Sequence, residues 1–260
     1  MSKNQNKLGN CFLGSTYAFL YLPILILIAL SFNNARYSTT WHGFSWQWYS
    51  LLFQDTDLWI SALHSLVLGV TAGCISTLLG TLAAIALFRF KFQGKSLLQG
   101  LIFVLIVIPD IVLGIALLML FSKIQVPLGF FSLLLAHITF CLPFVIVTIF
   151  GRMTHIDKNI FEAAKDLGAS EFIIFFKVTI PMLLPAIIAG LLLSFTLSFD
   201  DVMISYFVSG PSFEILPLKI FAMAKLGIKP ELNALCTIIF LITIVTTFSA
   251  QLFLRKNKHA

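Results

Sequence analysis

Charge is what this sequence has least of. Asp, Glu, Lys and Arg make up 11% of its 260 residues, against roughly 25% in a soluble globular domain. So few charges cannot cover a water-facing surface, which excludes an ordinary soluble fold, whereas lipid solvates apolar side chains without them. Cysteine is sparse too. Cys11, Cys74, Cys141 and Cys236 lie far apart, with neither the pair spacing of a metal site nor the pattern of a disulfide framework. They are read as buried small apolar residues. A Walker A loop is also missing: Gly94-Lys95-Ser96 ends like one, but Arg89 stands where the first glycine must be. The five histidines, His42, His64, His137, His155 and His259, are scattered, with no pair at ligand spacing on a helix. No nucleophile, base or metal set clusters anywhere, so an enzyme is not expected. His137, inside an apolar run, is read as a buried, hydrogen-bonded packing residue.

What fills the chain instead is apolar. Hydrophobic residues make up 59%, 27 of them phenylalanine, and the mean hydropathy is +0.99. A spanning helix needs about 20 mostly apolar residues, and six segments qualify: Phe12 to Phe32, Ala62 to Phe88, Leu97 to Phe121, Phe130 to Phe150, Met182 to Val208 and Ala234 to Leu254. The expected fold is therefore an all-α integral membrane protein forming a single transmembrane domain over residues 1–260. Pro109 in the third segment and Pro143 in the fourth are candidate kinks, tolerated where neighbouring helices satisfy the freed backbone groups. The first segment is too long for a signal core and lacks a small-residue cleavage pattern, so it reads as a retained anchor.

The net charge of +6 follows the positive-inside rule and does not call for nucleic acid. With the N-terminus inside, Lys3, Lys7, Arg89, Lys91, Lys95, Arg152, Lys158, Lys165, Lys177, Arg255, Lys256 and Lys258 fall on the cytoplasmic side. Only Arg36, Lys123, Lys219, Lys225 and Lys229 fall outside. Both termini are thus expected in the cytoplasm. The outer stretch 37–59 holds Tyr37, Trp41, Trp46, Trp48, Tyr49 and Trp59, which suits an interfacial aromatic belt or a short helix on the outer surface.

The long polar segment 152–181 is organised. Ile160, Phe161, Ala164 and Leu167 recur at helical spacing, predicting one apolar face on a short helix. Asp157 can cap its start, Gly168 can close it in a left-handed conformation, and Ser170 can cap a second short helix running toward Pro181. Two short helices joined at a glycine suit a grip for a partner. An amphipathic hairpin lying on the bilayer is the alternative, but Lys158, Glu162, Lys165, Asp166 and Glu171 mix both signs where membrane-surface helices favour Lys and Arg.

Glu162-Ala163-Ala164, three residues, Gly168, nine residues, then Val178-Thr179-Ile180-Pro181 resembles the EAA loop of ATP-binding-cassette importer permeases. Val178 and Ile180 are mild departures from that family's Ile-x-Leu-Pro ending. The resemblance implies the type I (MetI-like) permease fold, with the loop's coupling helix inserted into a groove of a separate ATPase subunit. Glu162, Ala163, Ala164, Gly168, Glu171 and Pro181 are then the coupling positions, and the chain binds no cofactor because ATP sits on the partner ATPases. Ser31-Phe32-Asn33, Trp48-Tyr49, Ser65-Leu66, His137-Ile138-Thr139-Phe140-Cys141, Ser198-Phe199-Asp200-Asp201 and Gly210-Pro211-Ser212-Phe213-Glu214-Ile215-Leu216-Pro217 narrow the likeness. In their order along the chain they are similar to spermidine/putrescine importer permeases of the bacterial inner membrane. That implies a homologous permease as heterodimer partner, two ATPase subunits, a periplasmic polyamine-binding protein and surrounding lipid. A permease for another small solute, or a secondary transporter driven by an ion gradient, is the alternative.

Three acids lie within the apolar segments: Asp110 in the third, Asp200 and Asp201 in the fifth. A carboxylate at the bilayer centre costs about 2.5–3.5 kcal/mol on insertion scales, so each needs a partner or water. One reading is structural: Asp110 caps a helix restarting after Pro109, and Asp200 and Asp201 sit near an interface or pair across helices. The other makes all three counter-ions along a path for a cation. Phe195, Phe199 and Tyr206 nearby could add cation–π surfaces. Gly69 and Gly73, with Gly80 beyond them, are expected to allow a close helix approach, to another span or to another subunit.

Overall fold

A computed structural model describes residues 3–35, 40–157, 159–225 and 230–256. Among the described residues the chain is helical, with no strand beyond an isolated bridge between Asn33 and Phe44. In order the helices are α1 (Lys3–Leu30), α2 (Gln47–Gln54), α3 (Thr56–Arg89), α4 (Lys95–Val107), α5 (Asp110–Lys123) and α6 (Phe130–Met153). They continue with α7 (Asn159–Asp166), α8 (Glu171–Ile174), a π-helical turn (Phe175–Thr179), α9 (Ile180–Asp200), α10 (Met203–Val208), α11 (Leu216–Lys225) and α12 (Pro230–Lys256).

Four stretches are long and apolar enough to cross a membrane: Phe12–Leu30, Thr56–Arg89, Phe130–Met153 and Glu171–Asp200. The expected third span, Leu97 to Phe121, is not one helix. Pro109 lacks an N–H and pushes the preceding residue out of the helical region, so Ile108 is extended and α4 and α5 meet at 114°. Each arm is about 20 Å long at 1.5 Å per residue, short of the roughly 30 Å of hydrocarbon. Pro143, by contrast, lies inside an unbroken α6. The expected fifth span also ends early: α9 stops at Asp200, Asp201 is extended, and α10 is a separate helix. Of the expected sixth span, Pro230–Val245 is an apolar helix; the helical backbone runs on to Lys256, but those later side chains lie outside the described ones.

The chain divides into two compact units, Ile60–Lys219 and the described residues of Met1–Trp59 with Ile220–Ala260. In the second, the aromatic stretch is partly folded inward. Trp48 is buried on α2 and its indole N–H donates to the Asn33 carbonyl at 2.7 Å, while Phe32 packs on Phe44, Trp46 and Tyr49. Trp41, Trp46 and Trp59 stay exposed, as a belt requires; Tyr37 lies outside the described residues.

The unit Ile60–Lys219 has two cores. One gathers Ile85, Leu87, Ile102, Val145, Ile149, Met153 and Leu183 with Phe161 and Ile174 from the 152–181 segment. The other gathers Leu68, Leu113, Leu117, Leu133, Phe140, Ile204, Val208 and Ile215. The glycines of α3 turn inward to this same chain: Gly69 and Gly73 face Phe195 of α9, and a Cβ on Gly80 would stand 2.6 Å from Val145 Cγ1 of α6. In lipid, where apolar burial drives little, such close contact is what holds helices together. Of the cysteines, Cys141 is buried and Cys236 half-buried, but Cys74 is exposed on α3, contrary to expectation; the side chain of Cys11 lies outside the described ones.

Candidate functional site

Two polar regions stand out in the Ile60–Lys219 unit, at opposite ends of α6 and α9. The first is the 152–181 segment. Asp157 Oδ1 accepts from the Asn159 N–H at 3.0 Å as α7 begins. The helix closes on Gly168, whose φ of +80° suits a residue without a Cβ. Ala169 N–H donates to the Ala164 carbonyl and Gly168 N–H to that of Lys165, the paired bonds of a Schellman cap. Ser170 Oγ then accepts from the Ile173 N–H at 3.4 Å. Between α8 and α9 the chain widens into the π-helical turn. There the Thr179 hydroxyl donates to the Ile174 carbonyl, and Pro181 opens α9 without an N–H to give.

The apolar face is narrower than its spacing suggested. Phe161 is buried and Ala164 half-buried, but α7 ends at Asp166, so Leu167 leaves the helix and is 88% exposed. Phe172, Ile173 and Phe176 are exposed beside it in sequence. Glu162 and Ala163 point outward and are exposed. Glu171 is a junction: one carboxylate oxygen accepts from Lys165 at 2.7 Å and the other from Arg89 Nη2 at 2.7 Å. Arg89, the last residue of α3, also lies over the Phe161 ring, 5.3 Å from its centroid. Its positive charge was legible in the sequence, but its partner 82 positions away was not.

The second region sits where two helices break. Asp110, Asp200 and Asp201 line one cleft of about 360 Å³ with Phe140, Leu197, Val202 and Met203, and none of these lining residues is basic. All three acids thus stand at helix ends or breaks rather than in the middle of a continuous helix. Asp110 begins α5, and Asp110 and Asp200 are exposed. Asp201 is buried, 7% exposed, and caps α10: its carboxylate accepts from the Ser205 N–H and Oγ–H, both at 2.8 Å, and from the Ile204 N–H at 3.3 Å. His137 of α6, wholly buried, bridges Ser205 Oγ at 2.9 Å and Ser198 Oγ at 2.6 Å. Because the single Ser205 hydroxyl proton goes to Asp201, His137 Nε2 donates to Ser205, and in the neutral imidazole Nδ1 then accepts from Ser198. One hydrogen-bond chain therefore runs from α9 through α6 to α10. Sequence reasoning did not find Ser198 and Ser205 in this role; the one local signal was Asp201 itself, a capping residue type ahead of a short apolar stretch. The expected cation–π rings lie elsewhere: Phe195 stacks on Phe199 and Tyr206 packs edge-on to Phe207. Among the described residues no three His, Cys, Asp or Glu side chains are grouped to hold a metal ion.

Comparison with known proteins gives the chain its relatives. A family model described as "Binding-protein-dependent transport system inner membrane component" matches residues 76–258. The spermidine/putrescine transport system permease protein PotC of Haemophilus influenzae is 50% identical over 252 residues, 97% of this chain and 98% of that protein. The putrescine transport system permease protein PotI of Escherichia coli K12 is 41% identical over 230 residues, 86% of this chain and 82% of that one. Among solved structures, a chain of a bacterial ABC transporter involved in the import of the acidic polysaccharide alginate shares the fold. Its TM-score is 0.74 at 17% identity, covering 98% of both chains.

Proposed function

From the premise that this chain belongs to the family of binding-protein-dependent transport system inner membrane components, we propose that it is one permease subunit of an ATP-driven importer for polyamines, spermidine and putrescine. It is a multi-pass membrane subunit and not an enzyme, as its permease relatives are. A homologous permease encloses the path with it, two ATPase subunits bind the ATP, and a periplasmic polyamine-binding protein delivers solute. Glu162, Ala163, Ala164, Gly168, Glu171 and Pro181 form the coupling loop that the ATPases grip, and the excess of Lys and Arg near this loop argues for cytoplasmic termini. ATP binding draws the ATPases together, the loop moves with them, and the path opens outward; hydrolysis resets it.

The observation that carries the substrate class is the cleft with three carboxylates and no basic lining residue. Asp110 and Asp200 are exposed, so they can meet an alkylammonium group directly. Asp201 is committed to the α10 cap and contributes its charge from behind. The greater identity to a spermidine/putrescine permease than to a putrescine permease favours the broader substrate range. Family membership weighs against the ion-gradient alternative. The test is labelled spermidine uptake into cells that express all subunits, with unlabelled putrescine and an uncharged sugar as competitors. Uptake should be blocked by putrescine alone and should fall about tenfold in Asp200→Asn, the equivalent of one lost charge-assisted contact worth roughly 1.4 kcal/mol. Uptake that is abolished by a protonophore at constant ATP, or unaltered in Asp200→Asn, defeats the reading.

A further inference from the structure

The loop-side end of α3 shares a core with the coupling segment, Ile85 and Leu87 lying in one cluster with Phe161 and Ile174, and Arg89 adds two attachments of its own. Arg89 is 13% exposed; its edge donates to Glu171 Oε2 at 2.7 Å and its face lies over the Phe161 ring. Phe161 belongs to α7, Glu171 to α8 and Arg89 to α3. The other oxygen of Glu171 takes Lys165 of α7, so one carboxylate and one guanidinium tie three elements together. Only arginine can stack with its plane and donate from its rim at the same time; a lysine ammonium cannot. A pair whose acid is 60% exposed adds little to folding stability, and α3 is already held to α6 by the tight contact of Gly80 with Val145. The ion pair is therefore more than the fold requires.

We propose that Arg89 is a positioning residue for transport, passing the displacement of the coupling loop to α3 through its joint hold on Glu171 and Phe161. This rests on the reading of residues 152–181 as the coupling loop. When the ATPases move α7 and α8, Arg89 makes α3 follow as one body. The middle of α3 lies against Phe195 of α9 at Gly69 and Gly73. Without Arg89 the loop still receives the ATPases, but its movement reaches α3 only through the apolar core that loop and helix share and is weakened.

The experiment uses the complete transporter in proteoliposomes, with labelled spermidine as probe and ATP hydrolysis measured in the same vesicles. The variants are Arg89→Gln, Arg89→Lys, Glu171→Gln and the double Arg89→Gln/Glu171→Gln. Arg89→Gln should retain bound ATPase and hydrolysis but lower solute moved per ATP about fivefold or more, the lower end of coupling between sites. Arg89→Lys should recover part of that loss. The double variant should be no worse than the worse single, because both remove one interaction. An unchanged ratio in Arg89→Gln, or a double loss equal to the product of the singles, overturns the role of Arg89. Should Arg89→Gln fail to assemble, Glu171→Gln removes the same pair from its exposed side and decides in its place. A wild-type transporter that moves no polyamine, or a Glu162→Lys chain that still transports, overturns the functional reading itself.

Discussion

At one end of α6 and α9 an exposed carboxylate, Glu171, finds cations, and at the other a buried one, Asp201, finds a hydroxyl and backbone N–H groups. Glu171 at the loop is open and shared between Lys165 and Arg89. Asp201 at the break is covered, and its neighbours are Ser205, Ile204 and His137. An exposed ion pair is cheap to part and remake, worth about 0–1 kcal/mol. A buried, fully partnered network is not, because each group left alone bears its whole desolvation cost. The same acidic chemistry thus gives one region suited to moving against a partner and another suited to holding a fixed shape. Each lies against its own core, and the loop's core draws on water: Phe161 and Ile174 are buried there, each gaining about 1.5–3 kcal/mol over exposure.

The contrast breaks most visibly at Glu162. It is exposed in the first turn of α7 and forms no ion pair among the described residues, so replacing it should alter stability by no more than about 0.5 kcal/mol. Glu162→Lys should nonetheless reduce uptake to background and release the ATPase during copurification, while the chain remains in the membrane with its sister permease. Retained ATPase would sink the assignment of Glu162 to an ATPase-gripping surface. The opposite result is expected at Asp201. Asp201→Ala leaves the Ser205 and Ile204 donors unmatched and strands the hydroxyl that orients His137, at a cost of about 1–3 kcal/mol. A lower unfolding temperature in detergent, with ATPase still bound, is the expected outcome; an unshifted one would mean that the α10 cap does not hold the break.

How much of this contrast the sequence revealed depends on the kind of information involved. The spans were legible because hydropathy is a composition property and lipid rewards it directly. The loop's turns were legible because capping is local: Asp157, Gly168 and Ser170 act within a few positions of themselves. The breaks were less so, because hydropathy does not register a missing backbone bond. Pro109 marked the first as a kink without giving its size, whereas Met182 to Val208 read as continuous although Asp201 is extended. Once Asp201 is known to cap α10, its place needs no counter-charge from a distant helix, and the insertion cost that made it conspicuous is met by its own neighbours. The three acids could be picked out singly, but that they share a cleft depends on α5, α9 and α10 meeting in space.

The finest distinction concerns Leu167, which the helical spacing put on the apolar face and the structure puts in the open. A leucine 88% exposed contributes almost nothing to the fold, since the apolar area it would lose to water is already lost. Leu167→Ser should therefore leave the unfolding temperature within the scatter of a surface change, about 0.5 kcal/mol. If the loop is gripped by the ATPase, however, the same leucine is covered on docking, and its removal should weaken ATPase retention by about tenfold, the worth of roughly 60 Å² of apolar contact at 25 cal/mol per Å². Leu167 lies next to Gly168 in the Schellman cap, so serine keeps the backbone turn while removing the apolar surface, and Leu167→Met restores that surface without restoring its shape. Recovery in the methionine variant identifies an apolar grip. Equal losses in both variants point to a shape-specific pocket, and no loss in either leaves the exposed face of the loop to Phe172 and Phe176.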